Sequence, residues 1–392
     1  MNLSWSEEHR MLKASVERFA VQRYTAEVRR RVLADDTRFD ADVWRDLAAY
    51  GWLALCVPEA HGGVGGSAVD VSLIAEGLGK ALVLEPYLPT AVVAARLIGA
   101  TGTADQCERL LPRIAAGDVR IAFAHEEPQQ ARAECAVRTI ARRAGDGWTL
   151  SGSKLQVVDG VHADVLLVSA RIERDGQRGE LAVFAVPENA VGLHRTPFET
   201  IDGRIACHLT LQQVRLASDA RLGDACAEPA VAAALDAGIA ALCAEAVGAM
   251  QALLDATLDY SRTREQFGQP LSANQVVRHR LVDMAIACEE ARAMALLAAI
   301  TVDGEPQARS SAASGARLKI ARAGRFVAEQ AVQLHGAMGV TEELSIGALM
   351  KRLMFCSALF GTPEYHLERR AQIEGYVQAT SGAGLASSTE VV

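Results

Sequence analysis

The chain has 392 residues, half of them hydrophobic, which is ample for a large core shared among two or three domains. A formal net charge of -8, with no basic stripe carrying interleaved aromatics, excludes a nucleic-acid binder. No apolar run approaches the roughly 20 residues of a membrane span, and the opening Met-Asn-Leu-Ser-Trp-Ser-Glu-Glu lacks the basic and apolar regions of a signal peptide. The eight cysteines stand singly, never as a CxxC pair, so reduced thiols, no metal site and a cytoplasmic setting are expected.

Residues 1–118 read as helices. Ser4 and Glu7 have capping-box spacing ahead of the helical series Met11, Leu12, Val16, Phe19, Ala20. Asp40 or Asp42 opens a second helix that Tyr50-Gly51 closes, and the glycine-rich stretch Pro58-Glu-Ala-His-Gly-Gly-Val-Gly-Gly66 is a loop. From 119 to 225 the pattern is that of strands. Ile121 to His125, Val165 to Val168, Leu181 to Phe184 and Ile205 to Leu216 are apolar runs, and Asp146-Gly147 is a hairpin turn, which together predict a β module of barrel or sandwich type. From 226 to 380 long helical series return (Ile239, Leu242, Ala246, Met250, Leu253; then Val277, Leu281, Met284, Cys288). They predict a four-helix bundle with a last helical region from Gly347 to Tyr376. Residues 381–392 read as a flexible tail.

Two stretches interrupt the bundle pattern. Tyr260-Ser-Arg-Thr-Arg264-Glu-Gln-Phe267-Gly268-Gln-Pro270-Leu271, followed by Gln275, ends one helix, turns and starts another. A guanidinium at Arg264 beside free N–H groups of the next helix suits a phosphate; an arginine at a helix C-terminus is equally at home against the helix dipole with no ligand. The second stretch, Gln333-Leu-His335-Gly336-Ala-Met-Gly339, allows close backbone approach to something flat, although a helix C-cap accounts for either glycine alone. His125 and His335 lack metal-ligand spacing and read as hydrogen-bonded structural residues.

Helices, strands and helices in that order, carrying these stretches, resemble the acyl-CoA dehydrogenase family, FAD-dependent enzymes that introduce an α,β double bond into acyl-CoA thioesters. The stretch from Tyr260 to Gln275 looks like the family's Y-x-x-x-R-x-x-F-G-x-x-L-x-x-x-Q segment. Gln333 to Gly339 looks like its Q-x-x-G-G-x-G loop, and Pro58 to Gly66 like its P-E-x-x-G-G-x-G loop. Within the family the chain is most similar to the small-subunit branch of two-subunit pimeloyl-CoA dehydrogenases, through Leu82-Val-Leu-Glu-Pro-Tyr87, Ala240 to Met250 and Lys351-Arg352-Leu353. The resemblance implies the three-domain fold: helical domain, β domain, helical bundle. It also implies an FAD held between subunits. Arg264, Phe267, Leu271 and Gln275 would reach a neighbour's cofactor, with Gln333 and Gly336 along its ADP portion and Thr362 as a further contact. His125, Glu126 and Val158 would lie at the ring. There the chain departs from the family: Glu126 replaces a hydroxyl, and Gln156 and Val158 replace an aromatic and a threonine.

The chemistry needs a carboxylate at the substrate's α-carbon, within about 3 Å and in a dry pocket. The family's usual glutamate precedes a Gly-Thr, where this chain has Phe360-Gly361-Thr362; the alternative seat, counted back from Ala246-Val-Gly248, is Gly238. Asp236, Glu245 and Glu364 are nearby acids that read as solvated or capping carboxylates. Two expectations follow: a subunit of a heterotetramer whose homologous partner carries the base, or a scaffold turned to acyl-CoA binding without catalysis or to another flavin reaction. A homo-oligomer and an electron-transfer flavoprotein as acceptor belong to the same family expectation.

Overall fold

The computed structural model describes residues 5–127, 137–341 and 344–377. Six α-helices open the chain: α1 Glu7–Gln22, α2 Ala26–Ala34, α3 Ala41–Ala49, α4 Ala68–Ala81, α5 Ala95–Thr101 and α6 Ala104–Ala116. The side chains of Ser6, Thr25, Asp40, Ser67 and Thr103 cap α1, α2, α3, α4 and α6 by accepting first-turn N–H groups. Ser4 lies outside the described residues, so the cap of α1 is two residues later than its spacing suggested. Asp40, not Asp42, caps α3, and α2 was not foreseen. Ahead of α5 runs a π-helix, Tyr87–Ala94, entered from Pro86. Thr90 ties it to the sheet: its hydroxyl donates to Ile121 O at 2.9 Å and accepts the Ile121 N–H at 3.0 Å.

Seven strands follow: β1 Ile121–Ala124, β2 Ile140–Ala144, β3 Gly147–Val158, β4 Val165–Arg174, β5 Gln177–Pro187, β6 Leu193–Glu199 and β7 Ile205–Leu216. They form one half-barrel sheet in the order β1-β4-β2-β3-β7-β6, with β5 on the other edge of β4. β1 and β2 pair parallel with successive parts of β4, and the remaining pairs are antiparallel. The β2–β3 turn comes one residue before its predicted place: Gly145 and Asp146 span it, while Gly147 is already paired with Ala144. The inner face buries Trp148, Leu166, Phe184 and Leu209.

Four helices were expected in the last part; five are present among the described residues. They are α7 Glu228–Thr263, α8 Gln275–Thr301, α9 Pro306–His335, α10 Ile346–Ala358 and α11 Pro363–Ile373, with a two-stranded hairpin, β8 Glu265–Gln266 and β9 Gln269–Pro270, between α7 and α8. The extra break falls after α10, where Phe360 (φ +60°) and Gly361 (φ +104°) turn the chain in conformations no helix tolerates. α7 is long and apolar enough to span a membrane, which the sequence reading did not anticipate, but 78% of its most apolar window is buried against protein. It packs on α4, α8, α9 and α10. The approach to α4 is backbone to backbone: a Cβ on Gly79 would lie 2.0 Å from Glu245 O, and one on Gly248 1.8 Å from Glu76 O.

Charge joins the three parts at their meeting point. Arg352, fully buried, meets Asp202 at 2.8 Å and Glu245 at 2.6 Å, and donates to Val83 O at 3.0 Å. Arg204 meets the same Glu245 oxygen at 2.9 Å. One charged knot therefore holds the helical start, the sheet and the bundle in fixed relation, and the main cavity opens beside it, sharing Arg204 as a lining residue.

Candidate active site

A cavity of about 720 Å³ lies where the π-helix, the ends of β1 and β3, the start of α7 and the α10–α11 turn converge. That volume suits a small ligand or a cofactor ring. The π-helix contributes Leu88, Pro89 and Val93, and α7 contributes Val231, Leu235 and Ile239 at intervals of four, one stripe of a helix. These build an apolar face. Across from them, β1 with its following residues and β3 present His125, Glu126, Glu127, Gln156 and Val158. Leu359, Phe360, Gly361 and Thr362 complete the wall.

Glu127 and Lys154, both buried, pair at 2.6 Å behind the polar face. Glu127 also accepts from Arg138 N–H, Thr139 N–H at 3.0 Å and the Thr139 hydroxyl at 2.6 Å. Lys154 donates further to Ser169 Oγ at 3.0 Å and His125 O at 3.2 Å. Burial pulls the Lys154 ammonium down to about 8 against the pull of Glu127. Burial, helped by the Lys154 charge, pushes His125 down to about 3, so its imidazole is neutral. Its Nδ1 lies 3.0 Å from Ser169 Oγ and its ring stacks on Phe123 at 5.3 Å. His125 is thus both the hydrogen-bonded residue its sequence context predicted and part of the cavity wall. Glu126 differs from its neighbour: half-buried, with its carbonyl accepting the Leu155 N–H at 2.8 Å, its carboxylate has no ion-pair or hydrogen-bond partner among the described residues, and burial raises its pKa.

The proposed base seats are in contact with each other. A Cβ on Gly238 would lie 3.2 Å from the Phe360 ring and 2.8 Å from Val93 Cγ2. The nearby acids are occupied elsewhere, and two of them are not solvated as expected. Asp236 is fully buried between Arg369 (2.8 Å) and Arg309 (3.1 Å), with Ser310 Oγ at 2.7 Å. Glu245 belongs to the charged knot. Glu364 stands in solvent in the first turn of α11, whose N-cap is Thr362, accepting the Tyr365 N–H at 3.3 Å.

The other anticipated residues form a second locus, none of it lining the cavity. Arg264 ends α7, exposed and without an ion-pair partner among the described residues. Its carbonyl accepts the Leu271 N–H at 2.9 Å, closing the β8–β9 hairpin. Phe267 and Gly268 form the hairpin tip at φ +55° and +77°, and the Phe267 side chain is 101% exposed. Gln275 begins α8. The Gln333–Gly336 stretch ends α9 beside it: Tyr260 stacks on buried His335 at 4.3 Å, and His335 Nδ1 lies 2.8 Å from Ala331 O. Gln333 and Gly336 are exposed, and a Cβ on Gly336 would meet nothing within 4 Å. The two stretches singled out in the sequence therefore do form one surface. No residue of 71–82 lines the cavity; on that side the wall is the π-helix.

Models of the acyl-CoA dehydrogenase N-terminal, middle and C-terminal domains match residues 6–118, 122–214 and 229–373. Acyl-CoA dehydrogenase FadE12 of Mycobacterium tuberculosis is 33% identical over 322 residues, covering 79% of this chain and 81% of that protein. Among solved structures, a variant of the Tcur3481-Tcur3483 steroid ACAD is 31% identical with a TM-score of 0.84, over 94% of this chain and 98% of the other. The ChsE4-ChsE5 complex from Mycobacterium tuberculosis is 26% identical with a TM-score of 0.87, over 97% and 100%. The chain belongs to the acyl-CoA dehydrogenase family, whose members are FAD-dependent oxidoreductases. The cavity fits the cofactor's ring in size and in having one polar and one apolar face, and the unpaired Arg264 fits its pyrophosphate. These two fits lie on separate surfaces of one chain.

Proposed function

We propose that the chain is one subunit of a heteromeric FAD-dependent acyl-CoA dehydrogenase, and that its hairpin locus completes a flavin site on a homologous partner that carries the catalytic carboxylate. The observation that carries this reading is Phe267: an aromatic side chain wholly in solvent, held at positive φ on a tight hairpin beside an unpaired arginine. Such an arrangement costs conformational energy and exposes apolar surface, and both are recovered when the ring is covered by another molecule. Two of the structural neighbours are complexes named for two different chains.

When bound, FAD accepts the hydride that leaves the substrate's β-carbon. This chain's part is to bind and orient: Arg264 on the pyrophosphate, Phe267 and Leu271 against the cofactor, and Gln275, Gln333 and Gly336 along the remainder. In its own cavity Phe360 and Gly238 offer no group to take the α-proton, and Glu126 stands where the family has a hydroxyl. The partner's carboxylate then serves the reaction, an electron-transfer flavoprotein removes the electrons, and the cytoplasm is the compartment. Co-expression with a homologous partner should give a yellow complex that reduces an electron acceptor with acyl-CoA. Arg264→Ala should lower its flavin content at least about tenfold, the scale of a lost charge-assisted hydrogen bond. A lone chain that binds flavin and oxidises acyl-CoA by itself would overturn the reading.

A further inference from the structure

The charged groups that line the cavity are paired, with one exception. Glu127 has Lys154 at 2.6 Å, Arg204 has Glu245 at 2.9 Å, Glu228 has Arg171 at 2.6 Å and Arg369 has Asp236 at 2.8 Å. His125 is neutral, and Tyr365 is the one other titratable group of the lining among the described residues. The exception is Glu126, whose carboxylate has no partner among the described residues.

The surroundings explain why it is left over. Lys154 spends all three of its ammonium hydrogens, on Glu127, Ser169 Oγ and the carbonyl of His125, and has none for Glu126. The main chain is pinned on both sides. Its own carbonyl accepts the Leu155 N–H at 2.8 Å, and beyond Leu155 the β3 strand bulges, with Gln156 at a φ of +52° and its N–H on His208 Nδ1 at 3.2 Å. Gln156 brings no charge to that edge of the cavity.

While the cavity is open, solvent reaches the Glu126 carboxylate and supports its charge. A ring filling the cavity would displace that solvent, and the opposite wall of Leu88, Val93, Val231, Leu235 and Ile239 offers no polar group in exchange. An unpaired carboxylate in such surroundings is far costlier than its protonated form, so either it takes up a proton or the ring stays out. Burial is the sole cause that already raises the Glu126 carboxyl above its ordinary range; no neighbouring charge contributes.

We propose that Glu126 is the binding residue that decides whether this cavity holds a flavin ring. Protonated, it admits the uncharged ring; ionised, it keeps the ring out and leaves the flavin to the partner's site. The proposal deepens the subunit reading and rests on the fit of the cavity to the ring. Occupancy takes up one proton from solvent, onto the Glu126 carboxylate.

The test uses the full chain without its partner, and lumiflavin, an isoalloxazine ring with no phosphate for Arg264 to hold. Fluorescence quenching reads the affinity between pH 5 and pH 7, where Lys154, at about 8, stays charged and His125, at about 3, stays neutral. Parent affinity should fall as pH rises, by up to about tenfold per pH unit, the limit for one proton. Glu126→Gln keeps the shape without the charge. At pH 7 it should bind at least about tenfold tighter than the parent, with no slope, while Glu126→Asp should keep the slope. Glu85 and Asp159 titrate near this range alike in parent and variants, so the difference reads residue 126 alone. A gain of binding cannot come from a chain that has failed to fold. Binding gained only in Glu126→Gln also supports the proposal. Equal affinities of parent and Glu126→Gln at pH 7, a parent affinity independent of pH, or no ring binding by either chain overturns it and leaves the subunit reading intact. Oxidation of acyl-CoA by the lone parent chain supplied with FAD overturns both.

Discussion

The cavity and the hairpin locus handle exposed chemistry in opposite ways. Around the cavity, Glu126 excepted, the buried charges are neutralised locally: Glu127 has Lys154, and behind the walls Asp236 has two arginines and Glu245 has Arg204 and Arg352. Even the carbonyls of the α10–α11 turn are satisfied. At the hairpin, Arg264 has no ion-pair partner among the described residues and Phe267 is bare. A closed interior beside an unsatisfied edge is what a subunit needs if its own pocket is not where the reaction is completed.

Removing one member of the interior network should have the largest effect. Glu245→Ala leaves Arg204 and Arg352 buried against a reduced counter-charge, and the stability measured by chemical denaturation should fall by about 3–5 kcal/mol. Gly248→Ala sets a methyl against Glu76 O and pushes α4 from α7, with an expected loss of about 1–3 kcal/mol.

Two acids outside the charged knot also predict a pH dependence. Burial raises Glu85 and Asp159 to about 7 each, the latter against the opposing pull of Arg204. Between their unfolded values and 7 the native state binds more protons than the unfolded chain, so stability falls as pH rises through that window. The lowered pKa values of His125 and His366 act in the opposite sense below pH 6.5, so the acid contribution is read by difference: the stability of Glu85→Gln relative to the parent should rise by up to about 3 kcal/mol from pH 5 to pH 8 in chemical denaturation. The smallest effect on folding belongs to the other region. Phe267→Ala should change the stability of the isolated chain by less than about 0.5 kcal/mol, because the side chain touches nothing. Its partner affinity, measured by sedimentation, should nonetheless weaken. A stability loss at Phe267 as large as that at Glu245 would erase the contrast.

Much of this was legible in the sequence because it follows local rules. Asp40 before an amphipathic run is a cap, and Ile239, Leu242, Ala246, Met250 and Leu253 announce the buried face of α7. The two stretches of the hairpin locus stood out because each breaks the helical pattern, and the family resemblance linked them; the Tyr260–His335 stack that joins them is visible only in the structure. What escaped notice has physical causes. β6 carries Pro197 and few apolar residues, as an edge strand can, so it shows no strand signal. Leu88 and Val93 share a face at an interval of five, which belongs to a π-helix and is invisible to a search at 3.6. The break between α10 and α11 does carry local signals, Gly361 at the turn and Thr362-Pro363 as cap and first position of α11, which the longer helical reading passed over; the hold of Arg317 on the turn, from more than forty residues earlier, has no local sign. The burial of Asp236 and Glu245 likewise depends on arginines distant in the chain.

The charged knot has a consequence for how the chain is made. Arg352 donates to Leu82 O and Val83 O, 270 and 269 residues upstream, and pairs with acids contributed by the sheet and by α7. During synthesis the first helices, the sheet and α7 all emerge before the residue that neutralises their meeting point. Until α10 leaves the ribosome, Asp202, Glu245 and Val83 O have the Arg204 guanidinium alone to share. A chain stopped short of α10 would keep the Arg204–Glu245 pair and the α4–α7 contact, but would lack the second guanidinium that completes the junction.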